Sequence, residues 1–208
     1  MTARIDHVVT SGVFSLDGQD FDVDNNVWIV GDDSEVIVVD AAHQAAPILD
    51  AVGGRAVRAI VCTHGHNDHI NAAGQVAEAT GADVLLHPHD LMLWDVVHPD
   101  RRPQPLADGE ELTIAGISVQ VLHTPGHSPG AVCLHVPALH AVLTGDTLFH
   151  GGPGATGRSF SSFPQIIDSI RTRLLPLPPQ TRVLTGHGDS TTVGAEAGDL
   201  PAWIARGH

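Results

Sequence analysis

The chain has 208 residues and a mass of 21.8 kDa, the size of one domain, so residues 1–208 are expected to form a single unit. With 42% hydrophobic and 16% charged residues it can bury a core, which excludes disorder as the main state. A formal charge of −14 with no basic patch repels phosphate backbones and argues against nucleic acid as a partner.

The segment from Met1 to Asp6 has no apolar core of a secretory signal. No apolar run approaches the ~18 residues needed to cross a bilayer, so the chain is expected in the cytoplasm, away from membranes. Asn26–Val30 and Glu35–Val39 read as strands around the turn signal Gly31-Asp32-Asp33-Ser34, and Asp40 ends the second. A helix is predicted from near Pro47 to Gly53-Gly54. Val57–Cys62 reads as a buried strand, followed by a helix over His69–Thr80 that Gly81 terminates. Val84–Leu86 is a short strand, and Leu112–Ile114 with Ile117–Leu122 reads as a hairpin around Ala115-Gly116. Strands at Val132–Val136 and Ala141–Thr144 precede a helix over Phe163–Leu175, which Pro176 stops. A strand at Val183–Thr185 and a helix over Gly194–Ala205 complete the chain. Short strands and helices mixed throughout predict an α/β layered sandwich. Cys62 and Cys133 lie in apolar runs and are expected to be buried free thiols.

The chain carries 15 histidines, and the densest cluster is Thr63-His64-Gly65-His66-Asn67-Asp68-His69, directly after the Cys62 strand. Side chains at i and i+2 of an extended segment share a direction, so His64 and His66 can aim at one point. Asp68 and His69 lie where the chain turns into a helix and point to a neighbouring position. Core packing does not explain such a cluster, because buried aspartate and paired histidines need coordination or pairing.

Three more polar residues follow apolar strands, each preceded by glycine: His127 in Thr124-Pro125-Gly126-His127, Asp146 in Thr144-Gly145-Asp146, and His187 in Thr185-Gly186-His187. With the first cluster they make seven nitrogen and oxygen donors, a number that suits two metal ions sharing a bridging group. Imidazole and carboxylate donors fit zinc first, with iron or manganese as alternatives.

In these motifs and their order, from about Asn25 to His187, the chain resembles metallo-β-lactamase-fold hydrolases of the glyoxalase II-like group. The resemblance implies a four-layer αββα sandwich with the site at one edge of two mixed sheets. It implies that His64, His66 and His127 hold the first metal and that Asp68, His69 and His187 hold the second. Asp146 would bridge the two ions, and Asp40 would support the metal loop from behind. Asp68 and Asp146 are accordingly the candidate catalytic carboxylates.

Two such ions would lower the pKa of a shared water from ~15.7 to about 7 and supply hydroxide at neutral pH to attack a carbonyl. No separate general acid stands beside the cluster in sequence. A thiol, with a pKa near 8.5, can leave unprotonated, so a small-molecule thioester of the S-lactoyl type is the expected substrate. The chain has no Tyr and no Lys, the residue types with which glyoxalase II enzymes grip glutathione. A GC-rich, actinobacterial coding bias would make mycothiol the alternative carrier. Gly157-Arg158-Ser159-Phe160 stands where many relatives have Gly-Arg-Thr-Asp, and Arg158 is a candidate for a substrate carboxylate. The segment from Phe149 to Phe163 is expected to wall one side of the site. Leu91–Trp94 is expected to pack a helix or to wall the other side. An iron-dependent persulfide dioxygenase and a lactonase or other small-ester hydrolase are the competing functions. His7, His43, His87, His89, His98, His123, His135, His140, His150 and His208 match no motif of the family and are expected at the surface or at strand ends.

Overall fold

The computed structural model describes residues 2–16 and 18–207, so the expectations for Met1 and His208 lie outside the described residues. Sheet 1 has the order β1-β2-β3-β4-β5-β6: Arg4–Leu16, Gln19–Gly31, Glu35–Val39, Ala56–Val61, Asp83–Leu86 and Gln104–Pro105. Its first three strands are antiparallel neighbours, and β3 to β6 run parallel. Sheet 2 is built from β7 (Glu111–Ile114), β8 (Ile117–His123), β9 (Val132–Val136), β10 (Ala141–Gly145), β13 (Arg182–Thr185) and β14 (Thr191–Thr192). The short pair β11 (Leu148–Phe149) and β12 (Gly152–Pro153) stands apart. Helices α1 (Ala45–Val52), α2 (Asn67–Ile70), α3 (Ala73–Thr80) and α4 (Leu91–Val97) follow strands of sheet 1. Helix α5 (Phe163–Ser169) follows the β11–β12 pair, and α6 (Val193–Glu196) and α7 (Leu200–Arg206) come after the last strand of sheet 2.

The layering follows from the side-chain period of two. In β3, Val36 and Val38 face a core shared with α1, α3 and Trp94, while Ile37 and Val39 face the other sheet. In sheet 2, Val132, Leu134 and Leu143 meet Ile37, Val39 and Val61 between the sheets. Cys133 and Val142 turn outward onto Ile166, Ile170 and Trp203. Three apolar layers therefore separate four structural ones, the αββα sandwich. Burial on both faces is why the strand sequences read as continuous apolar runs. Cys62 and Cys133 are free and buried within these layers.

Several expected boundaries change for local reasons. The helix expected over 69–80 is two helices, because Ala72 N–H donates to Ala41 O at 3.1 Å and the Asn71 side chain accepts His43 N–H. The helix expected over 163–175 ends at Ser169 and continues as a wide π turn over Ile170–Leu174. The final helix is likewise divided into α6 and α7 by a 3-10 turn at Ala197–Asp199. The largest addition is the hairpin β1–β2, thirteen residues per strand, of which sequence reading found only the inner end of β2. Its outer half exposes both faces, so no apolar alternation marks it.

Leu134 is fully buried between the sheets. Leu134→Ala should lower the unfolding free energy by about 2–5 kcal/mol, read from urea denaturation.

Candidate metal centre

Strands β3 and β4 are parallel, as are β10 and β13, and their C-terminal ends meet at one edge of the sandwich. That edge is stitched across the sheets. Asn26 N–H donates to Gly186 O at 2.8 Å, Trp28 Nε1–H to Thr185 O at 3.0 Å, and Val132 N–H to Thr63 O at 2.8 Å. The loops leaving these strands bring together the seven expected donors.

His64 Nε2 and His127 Nε2 each lie 3.0 Å from His66 Nδ1. His69 Nε2 and His187 Nε2 are 3.1 Å apart, with Asp68 Oδ2 at 3.5 and 3.2 Å from them. Asp146 lies between the two groups, with Oδ1 3.4 Å from His69 Nε2 and Oδ2 3.5 Å from both His127 Nε2 and His187 Nε2. A tetrahedral ion with bonds of about 2.0–2.1 Å sets its ligand atoms about 3.3 Å apart, which is the scale of these separations.

The outer nitrogens are anchored. His127 Nδ1–H donates to Ala155 O and His187 Nδ1–H to Asp24 O, both at 2.8 Å. His69 Nδ1–H donates to Asp40 Oδ2 at 3.0 Å. Thr63 Oγ1 gives its hydrogen to Asp40 Oδ2 at 2.8 Å, so it accepts from His64 Nδ1–H at 3.1 Å. Four imidazoles thus direct Nε2 inward, an arrangement that sets ring orientation as metal ligands require. Asp40, at φ 56° just after β3, also accepts Thr63 N–H at 2.7 Å and so fixes the start of the metal loop.

Two observations fit this pocket to cations. Asp68 Oδ1 and Asp146 Oδ1 are buried without a hydrogen-bond partner among the described residues. Such orphaned carboxylate oxygens are costly unless positive charge meets them. His66 Nδ1 also faces the Nε2 atoms of both His64 and His127, and a single proton cannot satisfy both contacts.

The charge states of the two clusters differ. Burial, then the neighbouring histidines, hold His64 well below its ordinary value and His66 at about 4. Burial alone would lower His187, but hydrogen bonds to Asp146 and Asp68 outweigh it and raise the ring to about 10. His69 is likewise raised against its burial by the charges of Asp146 and Asp68. Burial would raise Asp68, yet the His69 charge and the His187 hydrogen bond bring it to about 2.

A family model described as the metallo-beta-lactamase superfamily matches residues 21–187. The chain belongs to the metallo-beta-lactamase superfamily. Members of this superfamily are in general hydrolases, and this one carries metal-binding His/Asp clusters. The hydroxyacylglutathione hydrolase GloC of Haemophilus influenzae is 30% identical over 193 residues, 84% of this chain and 89% of that protein. The solved structure of TTHA1623 in a di-iron-bound form is 34% identical with a TM-score of 0.75, over 84% of this chain and 93% of that one. The BLEG-1 B3 metallo-beta-lactamase is 28% identical with a TM-score of 0.76, over 93% and 99%.

Sequence reading missed three residues of this superfamily site. Asp90, fully buried, accepts Gly65 N–H at 2.9 Å, Ser128 Oγ–H at 2.6 Å and Gly130 N–H at 2.5 Å. It ties the loop of His64 and His66 to the loop of His127. Asn25 donates to Asp68 Oδ2 at 3.1 Å, and its Oδ1 accepts His43 Nε2–H at 2.7 Å. His43 is therefore part of the support of the site and not an idle surface ring. The only sequence signal for these groups is a polar side chain at the end of an apolar run.

Leu93 and Val96 of α4 join Phe14 of β1, His66, Ser159 and Phe160 around a cleft of about 380 Å³. The neighbouring side of α4 buries Trp94, so this helix both packs and walls. Arg158 lies beside His66 and His127 with Phe14, Ala155, Ser159 and Ser161.

A Cβ on Gly186 would stand 2.3 Å from Asp146 Oδ1 and 2.8 Å from His69 Cε1. Gly186→Ala should displace that carboxylate and cut the bound metal by about one equivalent per chain, counted by elemental analysis after dialysis. Because Asp146 and Asp68 raise His69 and His187 above the ordinary histidine range in the metal-free protein, loading zinc should release protons. Calorimetric titrations at pH 7 should give heats that vary with the buffer's ionisation enthalpy. Affinity should rise with pH until His187 titrates near 10.

Proposed function

We propose that the chain is a thioester hydrolase of the glyoxalase II type, acting on S-acyl conjugates of a low-molecular-weight thiol. The observation that carries the reading is the composition of the cleft wall. Beside His66 and His127 it offers Phe14, Ala155, Arg158, Ser159 and Ser161, with no carboxylic acid placed to protonate a leaving group. A thiolate needs none, whereas an amide nitrogen or an alkoxide does. The similarity to GloC supports the same reading.

In this proposal His64, His66 and His127 would hold one divalent ion, Asp68, His69 and His187 would hold another, and Asp146 would serve both. The chemistry such ions would supply is a water of lowered pKa and a polarised substrate carbonyl. Asp40 and Asn25 keep His69 and Asp68 aimed inward. Phe14, Leu93, Val96 and Phe160 offer the acyl chain an apolar wall. No ion pair among the described residues engages Arg158, which leaves its guanidinium for a carboxylate on the thiol carrier. Zinc and iron both suit the donor set.

The di-iron form of TTHA1623 favours a second reading, iron-dependent oxygen chemistry on a persulfide. One panel of thioesters, lactones, a chromogenic cephalosporin and a persulfide with oxygen monitoring separates the cases. Thioester turnover should rank highest without oxygen uptake; a higher cephalosporin rate, or oxygen consumption, would refute the proposal. Asp146→Ala should reduce thioester turnover to background while circular dichroism stays native. Retained turnover would contradict the shared carboxylate.

A further inference from the structure

The cleft of about 380 Å³ beside His66 is far larger than a lactoyl group, and its wall is apolar. Phe14, Leu93, Val96, Val97 and Phe160 line it. Apart from His66, none of its described lining residues carries an acid or a base. Two of the apolar residues lie open to solvent, Val96 at 81% and Phe160 at 61% exposure. Single exposed apolar side chains are ordinary, but these two border the same cleft at the metal centre.

The wall is held in place by contacts to the metal loops. Phe160 has φ 69°, a left-handed backbone that a bulky side chain rarely adopts and that glycine would occupy without strain. Ser161 closes the turn around it: its N–H and its Oγ–H both donate to Arg158 O, at 3.1 and 2.8 Å. Arg158 N–H donates in return to Ser161 Oγ at 3.0 Å. Ser162 N–H donates to Gly126 O at 2.7 Å, which ties the turn to the loop of His127. Helix α4 is fixed by close packing. A Cβ on Gly65, between His64 and His66, would stand 2.9 Å from Leu93 Cβ. On the hairpin, the Phe14 ring lies 5.8 Å from the His66 ring. Arg158 lines an adjoining pocket that shares Phe14, His66 and Ser159 with the cleft, so the nearby cation and the apolar wall serve different parts of one ligand.

On the thioester reading given above, we propose that the cleft takes an apolar acyl chain of medium length. Hexanoyl and octanoyl thioesters are then better substrates than lactoyl thioesters, and Val96 and Phe160 set the preference. The reacting carbonyl lies at the metal centre, the chain runs along the wall, and a carboxylate on the thiol carrier meets Arg158. The strained phenylalanine has a use in this arrangement that its backbone alone does not explain. Each methylene moved from water onto the wall should raise kcat/KM about two- to fourfold.

The test uses zinc-loaded wild type, Val96→Asp and Phe160→Gly, none of which alters the seven donors. The substrates are N-acetylcysteine thioesters of lactate, butyrate, hexanoate and octanoate. The unreactive thioethers S-methyl- and S-octyl-N-acetylcysteine are titrated by calorimetry in parallel. In the wild type kcat/KM should climb from butyryl to octanoyl, and the octyl thioether should bind at least about tenfold more tightly than the methyl one. Both variants should flatten the two series. Val96 is exposed and Phe160→Gly relieves a left-handed backbone, so both should keep the thermal midpoint of the wild type. Equal binding of the octyl and methyl thioethers by the wild type would overturn the inference, whatever the rates. Tight octyl binding without turnover of any thioester would support the cleft assignment and refute thioester hydrolysis, so the two readings fail separately.

Discussion

Two carboxylates and five imidazoles share the small volume where the sheet ends meet, and most of that volume is closed to water. Dense donors of this kind repel or stay unsatisfied until cations join them. The scaffold cannot relieve the conflict by relaxing, because nearly every outer atom of the donors is held. Asp40 takes Thr63 and His69, Asn25 takes Asp68, and main-chain carbonyls take His127 and His187. The fold maintains an electrostatic arrangement that is complete only with metal, and the catalytic capacity of the superfamily follows from it.

The same constraint explains the sequence at the loops. Each donor outside the first cluster directly follows a glycine, and at Gly186 the reason is spatial: there is no room for a methyl group beside Asp146 and His69. Asp90 extends the logic from single loops to their mutual position. One buried side chain spans two loops, at Gly65 and at Ser128–Gly130, that are far apart in sequence and meet only after both sheets have packed.

The αββα layering was legible because strands buried on both faces leave apolar runs that tolerate little else, as in Glu35–Val39 and Val132–Val136. The donor residues were legible because imidazole and aspartate at strand ends have few other uses. What escaped had no such pattern. The hairpin β1–β2 is half solvated, and Gly12 in its middle reads as a break, although it makes room there for the His43 ring. The interrupted helix after His69 depends on Asn71 and Ala41, whose contact is tertiary. His87, His89 and His123 come together only in the folded chain, which spacing along the sequence does not encode.

The hairpin divides the molecule's labour. Its inner end pairs with β3 through Trp28 to Gly31, while its outer half extends past the sheet and places Phe14 within 5.8 Å of the His66 ring. Phe21 pairs with Phe14 across the ribbon and is exposed. None of the seven donors comes from this ribbon. Evolution can therefore reshape what is admitted by altering the ribbon's tip while leaving the reacting centre intact, so selectivity and chemistry are free to drift on separate courses.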